Sequence, residues 1–215
     1  MQYIARKLKN ALNAFEQGHL KQAEILYLEC LDKMTDKDTV IYKQALHGLS
    51  FVKVEMKQLT EASELYSQLL KIAEQEGNKE EEAIVLHQLG IIHRMHGDLD
   101  KAISYFKQEE SIYETLQGDF HLEHSTNYFE QGMTYSFIGN LKKSRKLMEV
   151  SLAEAKLAKD QMVIGYVYRA LGDISVKGNN ISEALENFAE ARVAFQNEGA
   201  KGALRDLKER VDKIQ

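Results

Sequence analysis

Gly97-Asp98-Leu99-Asp100-Lys101-Ala102 recurs along the chain in recognisable form. Upstream it reads Gly18-His19-Leu20-Lys21-Gln22-Ala23 and Lys57-Gln58-Leu59-Thr60-Glu61-Ala62. Downstream it reads Gly139-Asn140-Leu141-Lys142-Lys143-Ser144 and Asn179-Asn180-Ile181-Ser182-Glu183-Ala184. The closing small residues stand at 23, 62, 102, 144 and 184, so the steps are 39, 40, 42 and 40. A near-constant step of this size marks repeated supersecondary units, each able to bury its apolar face only against its neighbours.

Each position in the stretch has a physical task. The opening Gly or Asn takes the positive φ that ends one helix and turns the chain. Asp98, Asn140 and Thr60 cap the second helix or lie beside its cap. Leu20, Leu59, Leu99, Leu141 and Ile181 tuck under the hairpin, and the closing Ala or Ser lets two helices approach closely. Four residues on comes a large side chain on the same helical face: Tyr27, Tyr66, Phe106, Met148 and Phe188. The preceding helix carries its own ladder, Leu46/Leu49, Leu86/Leu89-Gly90, Tyr128/Gly132/Tyr135 and Tyr168/Leu171-Gly172.

Composition agrees with an all-helical chain. The 215 residues include no proline, 44% are hydrophobic and 28% charged, enough for a core and a well-solvated exterior. A net charge of −5 disfavours direct nucleic-acid binding through phosphate neutralisation. Cys30 is the single cysteine, so no internal disulfide forms. Met1-Gln2-Tyr3-Ile4-Ala5-Arg6-Lys7 lacks the apolar run of a signal peptide, and no run of 18 apolar residues occurs. A cytoplasmic protein that meets no membrane is the expectation.

The ladder and the recurring stretch together resemble the tetratricopeptide (TPR) signature over about residues 4–197, most closely at Leu89-Gly90 and Leu171-Gly172. The period is near 40 rather than 34, the closing Pro is missing and no Trp occupies the bulky first-helix position. In its length the repeat looks like those of kinesin light chains and of the Rap and PlcR peptide-pheromone receptors. The resemblance implies one domain over 1–215, a right-handed α-solenoid of about five TPR-like hairpins. The hairpins are expected at 4–36, 38–77, 79–118, 120–160 and 161–199. Residues 200–214, with Ala203, Leu204, Leu207, Val211 and Ile214 at helical spacing, would cap the array. Repeat one is the weakest, carrying Lys7, Asn10 and Ala11 where bulky, Leu and Gly are favoured.

In TPR arrays the first helices line a concave groove, and registering this chain on its small residues assigns that groove. Repeat two offers Gln44, His47, Phe51 and Val54; repeat three offers Ile84, His87, Gln88, Ile91 and Arg94. Repeat four offers Phe129, Glu130, Met133, Ser136 and Phe137; repeat five offers Tyr166, Arg169, Asp173 and Lys177. Phe51, Ile91 and Met133 share one repeat position, so an apolar strip with polar edges is expected, suited to a peptide. Arg94 and Arg169 are candidates to hold a carboxylate by bidentate pairing. The alternative is that the apolar members are core. The Lys and Asn clamp of chaperone-binding TPR proteins is replaced by His47, His87, Phe129 and Arg169, so chaperone tails are not expected.

Other constellations read as structural. His87, His93 and His96 share one helix, and His121 and His124 another, but no carboxylate or Cys in the sequence completes a metal site. Cys30 falls where the second helix needs a small core residue. Lys142-Lys143-Ser144-Arg145-Lys146 reads as a solvated surface, and Glu80-Glu81-Glu82 as a helix start favoured by the dipole. No phosphate loop, nucleophile elbow or carboxylate pair appears, so neither an enzyme nor a cofactor is expected. Three readings stay open: a protein- or peptide-binding scaffold, a regulator related to the Rap/PlcR receptors without an effector domain, and a homodimer or other self-associating structural protein.

Overall fold

The computed structural model describes residues 2–34 and 40–214. Among them are eleven helices and no strand. They run α1 (Gln2–Glu16), α2 (Leu20–Asp32), α3 (Val40–Glu55), α4 (Leu59–Glu76), α5 (Lys79–His96), α6 (Leu99–Thr115), α7 (His121–Ile138), α8 (Leu141–Ala158), α9 (Gln161–Lys177), α10 (Ile181–Asn197) and α11 (Lys201–Asp212). The five expected hairpins and the closing helix are all present. The expected boundary between the first two hairpins, at 36–38, lies outside the described residues.

Contacts divide the chain into two compact units, Met1–Ile112 and Tyr113–Gln215. In the first, α1 packs on α2 and α3, α2 on α3, α3 on α4 and α4 on α5. In the second, α7 packs on α8 and α9, α8 on α9, α9 on α10 and α10 on α11. Within each unit, neighbouring hairpins thus lean on one another, as chains of repeats must to hide their apolar faces.

The repeat explains the close approach of the paired helices. Ala23, Ala62, Ala102, Ser144 and Ala184 are all fully buried, and Tyr27, Tyr66, Phe106, Met148 and Phe188 at most 3% exposed. Their side chains fill the gap left by small residues opposite. A Cβ added to Gly90 would lie 2.4 Å from Cε1 of Phe106, and one on Gly172 would lie 2.3 Å from Cε1 of Phe188. Ser144 adds a polar link, its Oγ donating to the Gly132 carbonyl at 2.7 Å.

The turn residues behave as the repeat requires. Gly97 has φ +94°, and the same slot holds Lys57 at +59° in the second hairpin and Asn179 at +59° in the fifth. Asn140 caps α8, its side chain accepting from the Lys143 amide at 3.1 Å. Asp98 instead turns its carboxylate toward His93 and His96, and Thr60 lies inside α4, whose cap residue Gln58 makes no side-chain cap bond.

A polar node recurs where neighbouring hairpins meet. Lys53 of α3, 7% exposed, reaches Glu24 of α2 at 2.5 Å and Glu61 of α4 at 2.6 Å. Burial pulls its ammonium down, but the two carboxylates together outweigh this and hold it above the usual lysine value. Three hairpins further along the same repeat positions hold Arg145, Ser175 and Glu183. There Arg145 donates to Glu183 at 2.6 and 3.0 Å and to Ser175 at 3.1 Å. Lys143 donates to the Tyr135 hydroxyl at 2.7 Å with its ammonium over that ring. The basic run is therefore not simply a solvated surface: Arg145 and Lys143 tie helices together, while Lys142 and Lys146 stay exposed.

Candidate functional site

An open groove of about 820 Å³ lies on the first unit. Its floor comes from α3, whose Gln44, His47, Gly48 and Phe51 project into it, and Val40 stands at its end. Its facing wall is α1, which contributes Ala5, Leu8, Lys9 and Leu12. These four follow the i, i+3, i+4, i+7 spacing of one helical stripe. The Tyr27 ring reaches in from α2, and Lys43 and Glu81 mark the edge toward α5.

Most of the lining is apolar and much of it meets solvent. Leu12 is 47% exposed, Phe51 42% and Val40 65%. Large apolar side chains left open together mark an interaction surface rather than ordinary exterior. The floor is stiffened by ring packing. His47 stacks on Phe51 with centroids 6.1 Å apart, and meets Tyr66 edge-on at 5.5 Å. Burial among these rings lowers the His47 pKa, Glu81 opposing weakly, so the imidazole is neutral at pH 7. The Tyr66 hydroxyl behind it is buried and has no hydrogen-bond partner among the described residues, and burial raises its pKa.

The charged edge is mostly neutralised. Lys43 reaches Glu76 at 2.6 Å and Glu81 at 3.1 Å, and these bonds, Glu76 first, raise its pKa. Lys7 of α1 is held by Glu29.

Of the residues assigned from sequence, Gln44, His47 and Phe51 line this groove. His87, one repeat on, has its Nδ1 at 2.9 and 3.0 Å from the carboxylate oxygens of buried Glu109 and its ring edge on Phe106 at 5.8 Å. Gln88, Ile91 and Arg94 are half-buried on α5, and Ile84 is 48% exposed there.

On the second unit most of the assigned residues are engaged in packing or ion pairs, whereas Phe137 is 59% exposed. Phe129 and Met133 lie against the buried cluster of Met148, Val167, Leu171 and Ile174, and Glu130 is half-buried beside them on α7. Tyr166 packs its ring edge on Phe195 at 5.2 Å. Arg169 is bound to Asp206 of α11 at 2.9 Å, and Asp173 accepts two bonds from Arg210 at 2.7 and 2.8 Å. Arg169 and Asp173 are thus both taken up by the closing helix, while Lys177 donates to the Ser136 hydroxyl at 2.8 Å.

The α1 wall escaped the sequence reading because repeat one departs most from the pattern. Its signal was nevertheless present: moving Gln44, His47 and Phe51 back by the 39-residue step lands on Ala5, Leu8 and Leu12.

Several histidines pair with carboxylates. His93 and His96 approach the same Asp98 oxygen at 3.2 and 3.4 Å, and His121 lies 2.6 Å from Glu154. Among the described residues no set of three or more His, Cys, Asp and Glu side chains is placed to hold a metal ion. Cys30 is 1% exposed in the α1–α3 core, where burial raises its thiol pKa. No described helix is long and apolar enough to cross a membrane.

A model of the tetratricopeptide-repeat family matches residues 43–115. No curated protein matches. Among solved structures, the nearly identical TPR-like repeats of a kinesin light chain assignment from Podosopora anserina superpose with TM-score 0.72, covering 92% of this chain and 97% of that one at 17% identity. BtubC of P. vanneervenii gives 0.72 over 92% and 90% at 16% identity. A thermophilic TPR protein of Thermus thermophilus gives 0.67 over 98% of both chains at 17%. At these identities the likeness shows the fold alone, an array of TPR-like helical hairpins. Neither comparison shows the resemblance to Rap and PlcR receptors.

Proposed function

We propose that this protein is a non-enzymatic, cytoplasmic scaffold that docks a segment of a protein partner in the groove between α1 and α3. TPR hairpins generally mediate protein–protein interaction, and here one observation carries the reading further. Leu12 and Phe51, one repeat step apart, stand half-open on facing helices of the same groove. Leaving the exposed halves of these two side chains in water forgoes about 1 kcal/mol each, which a docked apolar segment would recover. Fold does not dictate function, so the groove itself must be tested.

The test is fluorescence titration of the full chain against a library of short linear and helical apolar peptides. The linear set also covers a peptide receptor of the kind the repeat length resembles. Saturable binding that Leu12→Ala and Phe51→Ala each weaken tenfold or more is the expected result. Binding indifferent to both substitutions, or none at all, would refute docking at this groove.

A further inference from the structure

We infer that the segment docked in the α1–α3 groove is acidic beside its apolar stripe. This rests on the docking reading above and adds the charge of the partner. The argument is one of complementarity between what the groove leaves unpaired and what must meet it.

The charges around the groove divide cleanly. Lys7 is neutralised by Glu29, whereas Lys43 lies between Glu76 and Glu81, a group that leaves one negative charge on the α5 side of the groove. Arg6 and Lys9 are exposed and, among the described residues, have no ion-pair partner. Lys9 itself lines the groove, and Arg6 stands three residues before it on the adjoining stripe of α1. The unpaired charge on the α1 side of the apolar lining is therefore positive, although the α5 side is net negative and the whole chain carries −5. A basic or uncharged segment would leave both cations unmatched, whereas a segment with carboxylates along its α1-facing edge would pair them. The sequence reading placed this task on Arg94 and Arg169; Arg169 is bound to Asp206, and the free cations lie on the first helix instead.

Pairs at an exposed rim are individually weak, so two of them predict a preference of about tenfold rather than an all-or-none switch. Two labelled synthetic helical peptides provide the probe, with the same Leu and Phe stripe but flanked by Glu in one and Lys in the other. Each is titrated with the full chain at about 20 and about 150 mM salt, where screening of exposed charges differs most usefully. The Glu peptide is expected to bind about tenfold tighter at low salt, with the gap narrowing at high salt and reversing for the Arg6→Glu/Lys9→Glu variant. The milder Arg6→Gln/Lys9→Gln variant should abolish the gap without reversing it, and circular dichroism confirms that both variants stay helical. Equal binding of the two peptides, with Phe51→Ala weakening both, would overturn the charge inference while leaving the docking reading intact. Binding of neither peptide would overturn both.

Discussion

The Tyr27 ring of α2 occupies the space a side chain at Gly48 of α3 would need: a Cβ there would lie 2.2 Å from Cζ and 2.6 Å from the hydroxyl oxygen. Tyr27 is 3% exposed and lines the groove, so this contact both locks the second hairpin onto the first and shapes the proposed docking surface. Gly48→Ala should therefore destabilise the first unit by about 1–3 kcal/mol through overpacking, against about 1 kcal/mol gained in helix propensity. Denaturant midpoints of the variant check the sign, and a neutral or stabilising result would show that the ring yields freely.

The repeated glycines offer an internal comparison. A Cβ on Gly90 would meet the rigid Phe106 ring at 2.4 Å, while one on Gly132 would meet the terminal methyl of Met148 at 3.0 Å. Methionine adapts where a buried ring does not. Gly90→Ala is expected to cost at least about 1 kcal/mol more than Gly132→Ala in chemical unfolding.

Lys57 takes a positive φ of 59° at the slot where Gly97 and Gly139 stand in later hairpins. A left-handed conformation costs a side-chain-bearing residue about 1–2 kcal/mol, part of which glycine returns in greater unfolded-state entropy. Lys57→Gly should raise stability by about 0.5–1 kcal/mol, and Lys57→Val should lower it. A lower urea midpoint for the glycine variant would contradict this.

The two units should respond oppositely to pH near neutrality. Burial lowers the pKa of His47 in the first unit, so protons bind the unfolded form more readily and stability there falls as pH drops through about 6.5. The bond to Glu154 raises the pKa of His121 in the second unit, so its contribution is full below about 6.5 and is lost as pH rises through the raised value. Hydrogen exchange at pH 6 and 8, corrected for intrinsic rates, should show α3 amides better protected at pH 8 and the α7 start better protected at pH 6. His47→Phe and His121→Gln should each remove one of these trends.

The closing helix hangs on a charge network. Arg210 bonds both Asp173 and Asp206, and Asp206 also meets Arg169. The Asp206 carboxyl is raised by burial, but the Arg210 bond and its companions outweigh this and hold it low. Arg210→Ala should loosen α11 by about 1 kcal/mol after solvent screening, with α11 amides exchanging faster and α7–α8 amides unchanged.

The residue steps of 39, 40, 42 and 40 alone determine that this chain makes helical hairpins, where each turn falls and which small residue faces which large one. Those features are local: they depend on φ preferences and on helical spacing within one hairpin. Only the packing of successive hairpins decides which outward side chains stay open. Phe51 and Arg169 both stand on first helices as groove candidates, yet Phe51 meets solvent while Arg169 is bound by Asp206, 37 residues along the chain. The node of Glu24, Lys53 and Glu61 and the α1 wall of the groove depend likewise on how one hairpin is laid against the next. That placement is set by the summed contacts of many side chains, which a repeat pattern read along one dimension does not contain.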